Sequence, residues 1–265
     1  MFEEKLEKLE TSLDAFGSVL VAFSGGVDSS VLAGLSHKLL GMKAVAVTVD
    51  SSTLAASELE CAKKVAAEIG ITHLIAKYDE LADEDFASNP EDRCYYCKSG
   101  LFRILREVAE EHGIDAILEG TTVDELEGHR PGYKAVREHG IFTPLADAGF
   151  TKDDVRALAR LLGLSNSEKP STACLSSRIP AGTRITEENL RAVEAAEDFL
   201  RGLGVGQVRV RHIGDAARIE VLESDFHKVM KNRNQIAERF QAFGFRNVSL
   251  DLKGYRTGNL SGQPS

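Results

Sequence analysis

The chain has 265 residues, 43% of them hydrophobic and 28% charged, with a formal net charge of −9. That length suits one large domain or two smaller ones, and the balance is that of an ordinary globular protein. The excess of acid argues against broad, sequence-independent nucleic-acid binding, which draws on Lys and Arg, and no apolar run approaches the roughly 18 residues of a membrane span.

Phe2, Leu6, Leu9 and Leu13 recur at helical spacing behind a charged start unlike a secretory signal. The pattern predicts a short amphipathic helix in a cytoplasmic protein. Residues 18–23 are a continuous apolar run, as expected of a strand buried on both faces. A Gly-containing turn leads to a helix over 29–40, then a strand over 43–49 ending at Asp50. A helix over 57–69, a strand over 72–76, a helix over 98–112 and a strand over 116–119 follow. This alternation predicts an α/β fold, a parallel doubly wound sheet covered by helices on both faces. Ligands in such folds gather beyond the carboxyl ends of the strands, which puts 24–28, 50–52 and 120–125 on one rim. A helix over 151–162 starts at Thr151 as N-cap, with Asp153 and Asp154 favouring the dipole in its first turn.

A polar loop over 169–183 with two prolines closes the first domain, 1–180. Residues 181–256 change character. A helix over 186–203 with Thr186 as N-cap, hairpin-like alternation over 207–213 and 217–222, a helix over 226–243 and a strand over 247–252 predict a smaller α+β domain. Its αββαβ order suggests an antiparallel sheet carrying two helices. The tail 257–265, rich in Gly, Ser, Asn, Gln and Pro, is expected to be disordered.

Chemistry concentrates first in Ser24-Gly25-Gly26-Val27-Asp28-Ser29, between a buried strand and a helix. Gly25 and Gly26 let the backbone turn and approach a ligand, and the helix behind offers free N–H groups and its positive end to an anion. Ser24, Ser29 and Ser30 add hydroxyls. Asp28 is out of place beside a phosphate unless it holds Mg²⁺ or caps the helix. The segment is not a P-loop, because the lysine of that motif is missing. Asp50-Ser51 closes the second strand and reads as a capped turn or, as a resemblance to the PP-loop ATP pyrophosphatases implies, equally as an adenosine contact.

Four cysteines in a cytoplasmic chain are poor candidates for structural disulfides. Cys61 reads as helix packing. Cys94-Tyr95-Tyr96-Cys97 lies in a polar stretch just before a helix, and Cys174 lies in the 169–178 loop. Three thiols leave three readings: a zinc site completed by a histidine, a [4Fe–4S] cluster with one iron open, or independent thiols with Cys174 acting alone as nucleophile or sulfur donor. In the second domain, Leu190, Val193, Glu197 and Leu200 recur at helical spacing. Glu197 within that stripe needs a partner, an arginine or a ligand. Arg209 and Arg211 share one face of a strand, suited to phosphate or to a solvated charged face.

These segments resemble known families. The hexapeptide is similar to the signature of the PP-loop ATP pyrophosphatases, which split ATP into AMP and pyrophosphate, usually by adenylylating a carbonyl oxygen. Gly120-Thr121-Thr122-Val123-Asp124-Glu125 resembles that family's segment after the fourth strand. The resemblance implies ATP or Mg²⁺ contact there, through Gly120, Thr121 and Asp124; a helix cap is the alternative. Across most of the chain the sequence resembles the LarE family, sulfur transferases of the nickel-pincer cofactor. The motifs are Phe23 to Ser29, Arg93-Cys94-Tyr95-Tyr96-Cys97-Lys98, Glu119-Gly120-Thr121-Thr122, Arg130-Pro131-Gly132, Lys169-Pro170-Ser171, Ala173-Cys174-Leu175-Ser176-Ser177-Arg178-Ile179-Pro180 and Gly254-Tyr255-Arg256.

That resemblance implies adenylylation of a carboxylate of pyridinium-3,5-biscarboxylic acid mononucleotide, followed by displacement of AMP by sulfur. It implies catalytic roles for Cys174, Asp28 and Glu197, and a substrate phosphate held by Ser177, Arg178, Arg209 and Arg211. With the C-x-x-C present, the chain resembles the variant in which Cys94, Cys97 and Cys174 hold a [4Fe–4S] cluster; in the other variant Cys174 gives up its own sulfur. Asp225 is a weaker metal-ligand match. The resemblance also implies a sulfide or other sulfur donor and a homo-oligomer. A tRNA thiolation enzyme, an ammonia-dependent ligase of the NAD-synthetase type and a non-catalytic nucleotide-binding module are the alternatives. The net charge speaks against the first, and the three cysteines are superfluous to the other two.

Overall fold

A computed structural model of the protein describes residues 2–126 and 131–256. The expected disordered tail and Arg130 lie outside the described residues. In chain order the elements are α1 (Phe2–Asp14), β1 (Val19–Ala22), α2 (Val27–Leu40), β2 (Ala44–Asp50), α3 (Ala56–Ile69), β3 (Thr72–Lys77), α4 (Glu84–Ala87), α5 (Arg93–Glu111), β4 (Ala116–Leu118), α6 (Pro131–Glu138), α7 (Pro144–Asp147), α8 (Lys152–Leu161), α9 (Glu187–Gly202), β5 (Val208–Ile213), β6 (Ala216–Val221), α10 (Phe226–Lys231), α11 (Arg233–Ala242) and β7 (Asn247–Leu250). They fall into two compact units, one within Met1–Glu80 and Asp92–Thr172, the other within Leu81–Glu91 and Ala173–Ser265.

The first unit is a parallel sheet of order β3-β2-β1-β4. Alternation along its strands explains why both faces are apolar. Val19 and Val21 of β1, Ala44 and Ala46 of β2 and Leu118 of β4 join one core with α1, α2, α3 and α8. Leu20, Val45, Val47 and Ile117 point the other way, into a second core with Phe102 and Leu105 of α5 and Ala135 and Val136 of α6. Each fully buried aliphatic side chain contributes about 1.5–3 kcal/mol. The doubly wound α/β sheet is therefore the observed fold. Among the described residues no helix is long and apolar enough to cross a membrane.

Helix α5 begins at Arg93, so Cys94 and Cys97 sit in its first turns and not in a loop before it. Packing decides this: Tyr95, a modest helix former, lies against the second core.

In the second unit β5 and β6 pair antiparallel as expected, but β6 and β7 pair parallel, so the sheet is mixed. The helical crossover between β6 and β7 returns the chain to the starting end, which parallel pairing requires. The helix expected over 226–243 breaks at Asn232, whose Nδ2 donates to Lys228 O at 2.8 Å. A short amide side chain offers the backbone this alternative to helix continuation. The segment around α4 belongs to this unit through Asn89, whose buried Nδ2 donates to Pro180 O and Thr183 O at 2.8 Å each.

Candidate functional site

The first unit builds an anion cradle at the end of β1. Gly25 turns with φ +66°, and a Cβ there would lie 2.7 Å from Ala62 Cα. Gly26 is the residue before α2 and no side chain caps that helix, so Asp28 is not its N-cap. The loop serines are spent on its shape: Ser29 Oγ and Ser30 Oγ donate to Gly26 O at 3.2 and 2.7 Å, and Ser24 Oγ accepts from Gly26 N at 3.3 Å. Gly120, past β4, brings backbone against the first turn of α2; a Cβ there would be 3.0 Å from Asp28 C and Ser29 N. For Gly25→Ala, the left-handed backbone costs about 1–2 kcal/mol before any clash is counted. We expect a lowered melting temperature together with lost ATP affinity, checked by calorimetry and by titration with ATP.

Asp28, at the start of α2, points its Oδ2 at Lys152 Nζ, 2.6 Å away, and Lys152 Nζ lies 3.4 Å from Glu125 Oε1. Burial raises the Asp28 pKa above the ordinary aspartate value, against the opposing pull of Lys152. Asp124 Oδ2 accepts the Lys152 backbone N–H at 2.6 Å, so it caps α8 in this structure. Thr151 and Asp154 complete that cap as a reciprocal box. Thr121 donates to Glu119, which also holds Lys98 Nζ at 2.7 Å. Asp50 ends β2, and a turn from Ser51 O to Leu54 N follows it at 3.0 Å. The almost fully buried Glu80 fixes that turn by accepting from Thr53 N at 2.8 Å, and its other oxygen accepts from Cys97 Sγ at 3.7 Å. Lys152 and Glu80 were not visible as site residues in the sequence; neither sits in a motif, and only folding brings them to Asp28 and Cys97.

In the second unit Cys174 is exposed, its Sγ 3.1 Å from Ser176 Oγ, just before the short turn Leu175–Arg178. Arg178 is 1% exposed. Its Nε and Nη2 form a fork on Glu197 at 2.8 and 3.0 Å, while Nη1 reaches Ala173 O, Cys174 O and Ser177 Oγ at 2.6, 2.9 and 3.0 Å. Glu197 also accepts from Val210 N and Arg201 Nη2. The apolar stripe thus supplies its glutamate with arginines. Arg209 and Arg211 are both buried, which removes the solvated-face reading. Arg211 forks on Glu220 and donates to Ser177 O at 2.8 Å. Arg209 has no carboxylate partner among the described residues; it donates to Val208 O at 2.8 Å and lies over the Tyr255 ring at 5.5 Å. Burial, then the neighbouring Arg178, lowers its pKa. Asp225 accepts from Gly206 N at 3.1 Å and pairs with Lys228 at 2.7 Å, which lowers its pKa. No group of three or more His, Cys, Asp or Glu is gathered as metal ligands among the described residues.

This fold and cradle define a class, and comparison with known proteins agrees. The model of the asparagine synthase family matches residues 4–239. An uncharacterized protein of Synechocystis is 41% identical over 98% of this chain and 98% of its own. The pyridinium-3,5-bisthiocarboxylic acid mononucleotide synthase of Lactiplantibacillus plantarum is 37% identical over 97% of this chain and 94% of its own. An uncharacterized protein of Methanocaldococcus jannaschii is 30% identical over 97% and 99%. The chain belongs to the asparagine synthase family of PP-loop proteins and, within it, to the LarE-type group that the synthase represents.

Proposed function

We propose that the protein is an ATP-dependent sulfurtransferase that adenylylates a carboxylate of pyridinium-3,5-biscarboxylic acid mononucleotide and replaces AMP by sulfur, for nickel-pincer cofactor synthesis. The observation that carries this reading is the match to the Lactiplantibacillus synthase over 97% of the chain, which takes in both the phosphate loop and the Cys174 segment.

The loop N–H groups and the start of α2 would hold the triphosphate. A partly buried carboxylate already paired with an ammonium suits a cation, so Asp28 fits Mg²⁺, which when bound would neutralise phosphate charge. A substrate carboxylate oxygen then attacks the α-phosphorus and pyrophosphate leaves. Gly120, Thr121 and Asp50 line the same rim and would contact the nucleotide, while Asp124 serves through its cap on α8. In the second unit Arg209, buried with no carboxylate partner among the described residues, is the best-supplied phosphate donor, with Arg211 and Ser177 beside it. Arg178 and Glu197 act on the reaction by clamping the backbone on either side of Cys174. Asp225, committed to Gly206 and Lys228, is the weakest candidate for a metal.

Cys94 and Cys97 lie three residues apart on one helix, and neither is deeply buried. That donor pair fits two ligands of an iron–sulfur cluster with Cys174 as the third, and such a cluster leaves one iron open to carry sulfide when bound. A sulfide or other sulfur donor would then recharge it, and a homo-oligomer is the proposed assembly.

Incubation with ATP and the mononucleotide should yield AMP, pyrophosphate and a product with oxygen replaced by sulfur, read by mass spectrometry. AMP formation with tRNA but not with the mononucleotide would overturn the substrate. Anaerobically purified protein should carry about four iron and four acid-labile sulfide per chain, lost in the triple Cys94/Cys97/Cys174→Ala variant. Their absence after reconstitution would leave Cys174 as the donor.

A further inference from the structure

Beside the phosphate loop, the Gly25 carbonyl collects three donors. Asn166 Nδ2 lies 3.1 Å from Gly25 O, Lys169 Nζ 3.3 Å and Cys61 Sγ 3.9 Å. The donors are themselves fixed. Lys169 Nζ donates to Glu58 Oε2 at 2.8 Å and Cys61 Sγ at 3.1 Å. Asn166, 7% exposed, also donates to Ser30 Oγ at 2.9 Å, and Ser30 in turn holds Gly26 O. The amide orientation of Asn166 follows from chemistry, since a carbonyl oxygen only accepts.

We infer that Asn166 and Lys169 are positioning residues for ATP: by pinning the Gly25 carbonyl they hold the Gly25–Gly26 peptide, whose N–H donates to Ser24 Oγ at 3.3 Å, in the orientation that keeps its oxygen from the phosphates. The peptide geometry requires this. Cis peptide bonds are absent among the described residues, and in a trans peptide the C=O and N–H point in opposite directions. Gly25 and Gly26 are the two residues that could flip most readily, because neither carries a Cβ. A flipped peptide would present its oxygen to the anion. The Lys169 ammonium that donates to Gly25 O is itself paired with Glu58 at 2.8 Å. Burial works against that charge, but Glu58 and Cys61 outweigh it and raise the Lys169 pKa, so it is protonated at neutral pH. The loop sequence itself gave no sign of this strut, because its parts come from α3 and from the chain beyond α8.

The inference rests on the loop being the ATP site, and its test needs no mononucleotide for the binding arm. ATP and adenosine are titrated calorimetrically into wild-type protein, Lys169→Met and Asn166→Ala. The expected result is ATP affinity weakened about tenfold, with adenosine affinity unchanged. In turnover, KM for ATP should rise while AMP formation at saturating ATP stays near wild type. Lys169→Arg, which keeps a charged donor, should recover part of the loss. Unchanged ATP affinity in both variants, or equal loss of ATP and adenosine, overturns the inference. Should Asn166→Ala fail to fold, the partly exposed Lys169 carries the same test. Wild-type protein that binds neither ligand would overturn the ATP site itself, a result distinct from variant-specific loss.

Discussion

Asp28→Ala should abolish AMP formation while the protein remains folded. The carboxylate side chain is 30% exposed and its ion-pair partner Lys152 is 39% exposed, and pairs this accessible contribute about 0–1 kcal/mol. Lys152 keeps a second acidic neighbour in Glu125 at 3.4 Å, so truncation strands no buried charge. The effect on the reaction is far larger. Asp28 is the acidic residue of the loop's own motif and starts the helix whose N-terminus forms the cradle. On the proposed Mg²⁺ role, losing that cation would leave the developing pyrophosphate charge without compensation, a loss on the order of a hundred- to a thousandfold. Asp28→Asn preserves the shape and should fail as well. The raised Asp28 pKa adds a pH signature. As pH falls, this carboxylate takes its proton earlier than an ordinary aspartate, so the acid limb of AMP formation should begin at a higher pH than an ordinary aspartate would give. Activity retained in Asp28→Ala, or a Mg²⁺ dependence left unchanged, would end the metal role and leave Asp28 as a partner for Lys152 alone.

The sheet could be read in the sequence because each strand there is a short apolar run and each helix is amphipathic, so Val21 and Leu20 could be assigned to opposite faces from order alone. The caps at Thr151 and Thr186 were equally local, since each box closes within three residues. The loop around Gly25 was legible as a motif. What escaped were contacts over long sequence separation. Lys152 meets Asp28 across 124 residues, and a lysine beginning a capped helix looks like any surface cation. Glu80 looks like a loop acid until Thr53 and Cys97 close over it. The parallel β6–β7 pairing depends on where a helical crossover delivers the chain, which strand alternation does not encode. Glu197 was visible as an acid within an apolar stripe, but not the two arginines that fill both its oxygens. In the same way the i, i+2 spacing put Arg209 and Arg211 on one face, yet only burial and partners separate the one that forks on a carboxylate from the one that does not.

Cys174→Ala should stop sulfur transfer and spare adenylylation. The thiol is exposed and its neighbour is the Ser176 hydroxyl at 3.1 Å. The turn that carries it is held through backbone oxygens by Arg178, which grips Ala173 O and Cys174 O whatever the side chain at 174. The alanine variant therefore keeps its fold and its Arg178–Glu197 pair. Activation of the carboxylate relies on the loop at Gly25 and Asp28, so AMP and pyrophosphate should still appear, with the acyl adenylate lost to water in place of sulfur. A fall in both steps would make Cys174 structural. The same thiol also separates the two sulfur sources. If Cys174 attacks the adenylate, AMP leaves and a thioester forms; loss of the Cα proton then expels the thiocarboxylate and leaves dehydroalanine at 174. The chain would be lighter by the mass of hydrogen sulfide after a single turnover, and Cys94→Ala and Cys97→Ala would still transfer once. If the three cysteines act together around iron, each single alanine variant stops transfer, the chain keeps its mass, and added sulfide sustains many turnovers.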